Sequence, residues 1–76
     1  MSQSFSRIGD GVHRLNAEPF SGYVFRTHSP IVSLWAWACY WPRGSSSGVT
    51  HSFKGARLQV YKDLKLYQEW EARDGR

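Results

Sequence analysis

The chain has 76 residues, of which 16% are aromatic, and ten Lys or Arg against six Asp or Glu give it a formal charge of +4. A chain of this length makes one domain that buries only about 60% of its unfolded surface, so its stability margin is thin. The single cysteine, Cys39, excludes an internal disulfide, and the longest apolar run, residues 31–41, is too short for a bilayer span of about 20 residues. A small cystine-free domain without a charged-then-apolar leader over residues 1–8 reads as cytoplasmic. Beginning at Met1 and carrying no second domain or long linker, it also reads as a complete short reading frame.

Residues 1–6 are polar and are expected to fray. Two short extended pieces follow, residues 7–8 and 12–15, around a Gly9-Asp10-Gly11 turn. Residues 16–19 form a connector. Residues 20–28 alternate as a strand, with Tyr23, Phe25 and Thr27 on one face and Val24, Arg26 and His28 on the other. Ser29-Pro30 turns the chain into residues 31–41, an uncharged run holding three of the four tryptophans. Period 2 places Ile31, Ser33, Trp35, Trp37, Cys39 and Trp41 on one face and Val32, Leu34, Ala36, Ala38 and Tyr40 on the other. Both faces are apolar, which calls for cover on two sides.

Residues 42–48, Pro-Arg-Gly-Ser-Ser-Ser-Gly, read as a flexible loop, and residues 49–53 as a returning antiparallel strand. Helical periodicity then predicts a helix over 53–72, with Phe53, Ala56, Val60, Leu64, Tyr67 and Trp70 on one stripe and Ser52 as its N-cap. Gly55 in the first turn and Leu58 on the polar side count against it. The alternative starts the helix near Lys62 and makes residues 56–61 a further strand. The expected fold is α+β: a single domain with a small antiparallel sheet of three or four strands and one C-terminal helix packed on one face. The helix leaves a surplus apolar face, to be covered by the N-terminal arm, by a second copy in a homodimer, or by a partner.

Chemistry-bearing patterns are sparse. Gly9-Asp10-Gly11 lacks the further glycines and the following helix of a phosphate loop. His13, His28, Cys39 and His51 form no Cys-x-x-Cys or His-x-x-x-His chelate, so no metal site is expected. A cysteine in mid-strand is ordinarily a small buried hydrophobe, and nothing brings Asp10 or Glu18 to Asp63 as a carboxylate pair. The expectation is a protein without catalytic residues or cofactor.

Charge is unevenly placed. Residues 1–57 hold six cations and two anions, whereas residues 58–76 hold four of each. Such a charge is also ordinary for solubility. Two binding readings follow. In one, a basic, aromatic sheet face meets nucleic acid through Arg26, Arg43, Lys54 and Arg57. In the other, which is preferred, those residues and Trp35, Trp37 and Trp41 bind a protein or nucleoprotein target, because Trp and Arg are enriched among interface anchors. The plan is similar in architecture alone to sheet-reading plant transcription-factor and integrase-arm domains. In size and simplicity the chain resembles phage and mobile-element inhibitors of host nucleases, including anti-CRISPR proteins, which implies action by occluding a surface. Arginines gathered on the uncovered sheet face would favour nucleic acid; an apolar uncovered face rimmed by acids would favour a protein.

Overall fold

The computed structural model describes residues 4–27 and 34–74. Five strands, β1 (Ser6–Gly9), β2 (Val12–Ala17), β3 (Phe20–Arg26), β4 (Trp35–Trp41) and β5 (Gly44–Thr50), precede one helix, α1 (Phe53–Asp74). The strands form a single antiparallel meander in the order β1-β2-β3-β4-β5. The fold is thus α+β with one C-terminal helix on the sheet, and the sheet has five strands where three or four were expected. Of the apolar run, residues 35–41 form β4; Ile31, Val32 and Ser33, and likewise His28, lie outside the described residues.

Turn chemistry sets the first hairpin. Gly11 has φ +68°, a conformation glycine adopts without a Cβ penalty, and it closes the two-residue Asp10-Gly11 turn between Gly9 and Val12. Its carbonyl also accepts a hydrogen bond from the Arg26 amide at 2.9 Å, tying the turn to the end of β3. At the base of the β3–β4 connection, the Thr27 amide and hydroxyl both donate to the Leu34 carbonyl at 3.0 Å.

The expected loop over residues 42–48 is instead a two-residue Pro42-Arg43 turn followed by β5. Cross-strand packing explains why this Gly/Ser-rich segment is a strand. Gly48 lies opposite Trp37 and Gly44 opposite Trp41. A Cβ built on Gly48 would stand 2.9 Å from the Trp37 indole, and one on Gly44 3.2 Å from Trp41 Nε1. Each indole therefore lies over a glycine of the neighbouring strand, and the rings supply the contact that the missing side chains cannot. The return strand expected over 49–53 ends at Thr50, and Phe53 opens the helix.

Helix initiation follows the sequence reading. The Gly55 amide donates to Ser52 Oγ at 3.0 Å and the Ala56 amide to the Ser52 carbonyl at 3.1 Å, the geometry of an N-cap. Residues 56–61 are helical, so the alternative with a strand there does not hold. Ala56, Val60 and Leu64 make the buried stripe, against Leu15, Phe20, Val24 and Cys39 from the sheet. Leu58 is exposed, as its place on the helical wheel indicates. Over Gly22 the helix packs closely enough that a Cβ there would overlap the Val60 side chain. Burying each of Phe20, Leu15, Val24 and Val60 contributes roughly 1.5–3 kcal/mol.

At about 1.5 Å per residue, 22 helical residues span about 33 Å, whereas a seven-residue strand spans about 23 Å. Phe53 packs on Trp35 at one end of β4 and Tyr67 faces Trp41 at the other, so the last helical turns extend past the sheet.

Gly48→Val should force the Trp37 indole off its seat and cost about 1–3 kcal/mol. Ser47→Val, on the opposite face of the same strand, should stay within about 0.5 kcal/mol of wild type. Urea denaturation of the two variants checks this; equal stabilities would contradict the packing.

Candidate functional site

Alternation along β4 divides the sheet into unlike faces. Trp35, Trp37, Cys39 and Trp41 belong to the helix side, with Cys39 fully buried and the three tryptophans half-buried against the core. Trp35 packs on Phe53 with ring centres 4.8 Å apart, and Trp41 stacks on Phe20 at 6.0 Å with planes 7° apart. Ala36, Ala38 and Tyr40 belong to the other face, which no helix covers.

That open face is built in register. Asn16, Ser21, Tyr40 and Ser45 form one cross-strand row; Arg14, Tyr23, Ala38 and Ser47 the next; Val12, Phe25, Ala36 and Val49 the third. The two alanines make a floor 7–8% exposed, while Tyr40 at 52%, Val49 at 61% and Phe25 at 38% stand out from it. Tyr23 meets Tyr40 edge to face at 5.9 Å, and the Arg14 guanidinium lies 5.8 Å from the Tyr23 ring centre. Between these rings lies a shallow depression of about 430 Å³ lined by Ser21, Tyr23, Phe25, Ala38 and Tyr40. The one charged side chain in the three rows is Arg14.

The seven residues singled out from sequence stand elsewhere. Trp35, Trp37 and Trp41 lie on the helix side. Arg26 pairs in register with Trp35, Lys54 follows Phe53, and the Arg57 guanidinium lies 4.8 Å from the Phe53 ring centre, so these three cations gather where the helix begins. Arg43 is at the far end, 5.2 Å from the Trp70 ring centre. The structure thus brings three of the four cations together, apart from the fourth and from the open face. Tyr23, Phe25, Tyr40, Val49 and Arg14 were not singled out, although alternation had already placed Tyr23 with Phe25, and Tyr40 with Ala36 and Ala38, on common faces.

Cys39 has the environment of a core residue. Burial pushes its thiol up to about 12, and the negative Asp63 carboxylate beside it adds to the rise. A thiol so held is a poor nucleophile at neutral pH. Tyr67 is also raised, by desolvation and then by Glu71, whose carboxylate accepts the Tyr67 hydroxyl at 3.3 Å. Among the described residues, no group of three or more His, Cys, Asp or Glu is placed to hold a metal ion, and no helix is long and apolar enough to cross a membrane. Compared with protein-family models, curated proteins and solved structures, the chain matches none.

Because the folded-state thiol titrates above its ordinary value of 9.0, Cys39 favours the folded protein fully below pH 9, and that contribution falls as pH rises toward 12. Stability of wild type minus that of Cys39→Ala, measured by denaturation from pH 8 upward, should therefore decline. In native protein at pH 8 a thiol reagent should label Cys39 only as fast as the chain unfolds; rapid labelling would contradict its burial.

Proposed function

We propose that this is a non-enzymatic binding protein that acts by occluding a surface on a protein or nucleoprotein target, and that the open sheet face is its contact surface. What carries the reading is the makeup of that face: protruding Tyr40, Val49 and Phe25 around a small-residue floor, with a single cation. Amphipathic tyrosines and an arginine around an apolar centre suit a protein interface, where aromatic anchors account for most of the binding energy. Nucleic acid is held chiefly through several phosphate contacts by Lys and Arg, and this face offers one. A simple inhibitory role of the phage or mobile-element kind, anti-CRISPR-like, in the cytoplasm, is consistent with a small domain whose only requirement is buried contact area.

Nucleic-acid binding is retained as a second reading on one observation, the gathering of Arg26, Lys54 and Arg57 near Trp35 and Phe53 at the start of the helix. The two readings use opposite sides of the molecule, so they are separable. Tyr40→Glu and Val49→Glu should keep stability within about 0.5 kcal/mol of wild type and lose the protein captured by the wild-type chain. Arg26→Glu with Arg57→Glu should leave that capture intact. Single- and double-stranded DNA should give no gel shift at about 200 mM salt. A DNA complex that weakens steeply with salt, fails with the arginine variants and survives Tyr40→Glu would replace the first reading by the second.

A further inference from the structure

The overhanging end of the helix forms a second concavity, on the opposite side of the sheet from the open face. It encloses about 460 Å³, within the size range of small-ligand pockets. Trp41 and Ser46 line it from the sheet, Asp63, Leu66, Tyr67 and Trp70 from the helix, and Arg43 from the turn. Tyr67 stands between the two indoles, with ring centres 6.4 Å from Trp41 and 6.2 Å from Trp70.

Two observations identify what this pocket suits. Asp63 Oδ2 is buried and has no hydrogen-bond partner, and a buried carboxylate oxygen without a donor is costly. A ligand that relieves it must bring N–H or O–H groups. The walls, in turn, are ring faces, which attract cations and planar charged groups. Arg43 shows the second contact within the chain itself, its guanidinium 5.2 Å from the Trp70 ring centre, yet it makes no ion pair with Asp63. Asp63 and Arg43 are the lining acid and cation, so the lining is formally neutral, and Glu71 stands beside it as the acceptor of the Tyr67 hydroxyl.

We infer that the pocket bounded by Trp41, Asp63, Tyr67 and Trp70 binds a guanidinium group, its plane against the aromatic walls and its N–H groups donated to Asp63. A guanidinium meets both requirements at once: it is flat, permanently charged, weakly hydrated, and presents donors in a fork that matches a carboxylate. A quaternary ammonium would satisfy the rings and leave Oδ2 unpaired. The site is independent of the open sheet face and stands or falls separately from it.

The test uses the full chain and the indole N–H resonances of its four tryptophans. Titration with N-acetyl-arginine amide should shift the Trp41 and Trp70 signals saturably and leave Trp35 and Trp37 in place. Methylguanidinium should shift the same pair, whether or not the amino-acid frame adds affinity, whereas the neutral isostere N-acetyl-citrulline amide should not. Equal responses to methylguanidinium and the arginine amide would mark a site for free guanidinium compounds; a stronger response to the arginine amide would mark one for a peptide-borne side chain. Asp63→Asn should weaken binding about tenfold or more, as expected on removing the charge from a charge-assisted hydrogen-bonded pair. If Asp63→Asn does not fold, Trp70→Leu, at the overhanging end, should give the same loss with the Trp41 shift as readout. No saturable shift in wild type, an equal shift with the citrulline derivative, or affinity unchanged in a folded Asp63→Asn or Trp70→Leu would overturn the assignment.

Discussion

Everything in this molecule follows from the seating of two indoles over two glycines. Trp37 over Gly48 and Trp41 over Gly44 hold β5 against β4 and commit the bulky side of β4 to the interior. Because strand side chains alternate, the same commitment turns Ala36, Ala38 and Tyr40 outward. A helix starting at Phe53 then has one apolar floor to pack on, and Gly22 lets Val60 approach it closely. A Cβ at position 48 would force the Trp37 indole to shift, and one at position 44 would require Trp41 to give by a few tenths of an ångström. Aromatic mass thus does for this chain what length does for larger domains: it fills a core from few residues.

Much of the fold was legible because the signals were local. The Asp10-Gly11 turn, the helix from Phe53 and its Ser52 cap are each fixed by residues within one turn of each other. β5 was not legible for the opposite reason. Gly-Ser-Ser-Ser-Gly carries no hydrophobic pattern of its own, and what makes it a strand lies across the sheet on Trp37 and Trp41. The two-faced character of β4 was read correctly, but which face the helix would take depends on where β5 places its glycines. The three tryptophans therefore pack half-buried beneath the helix, while Tyr23, Phe25 and Tyr40 take the open face. Composition presents the basic residues as one set, whereas the fold puts Arg26 and Arg57 at the start of the helix, Arg43 near Trp70 at its far end and Arg14 on the open face.

Electrostatics reinforce the division into an open side and a packed side. The open face holds almost no charge beyond Arg14, whose Nε is buried without a hydrogen-bond partner. The helix side carries Arg26 and Arg57 near Phe53, and it also holds Asp63 beside the Cys39 thiol. Length mismatch between helix and strands adds a third surface, the aromatic shelf around Trp41, Tyr67 and Trp70. Three chemically distinct surfaces thus arise in one small domain from a single decision about strand alternation.

The indole-on-glycine seating can be observed directly in a proton NMR spectrum of the free protein. Hydrogens held over an indole face are shifted strongly upfield by its ring current, so the Gly48 and Gly44 Hα signals should lie well upfield of their unfolded positions and show cross-peaks to Trp37 and Trp41 respectively. Gly48 and Gly44 signals at unfolded positions, with no cross-peaks to those rings, would mean that residues 44–48 are the loop their composition suggests, and the account of both sheet faces would fall with them.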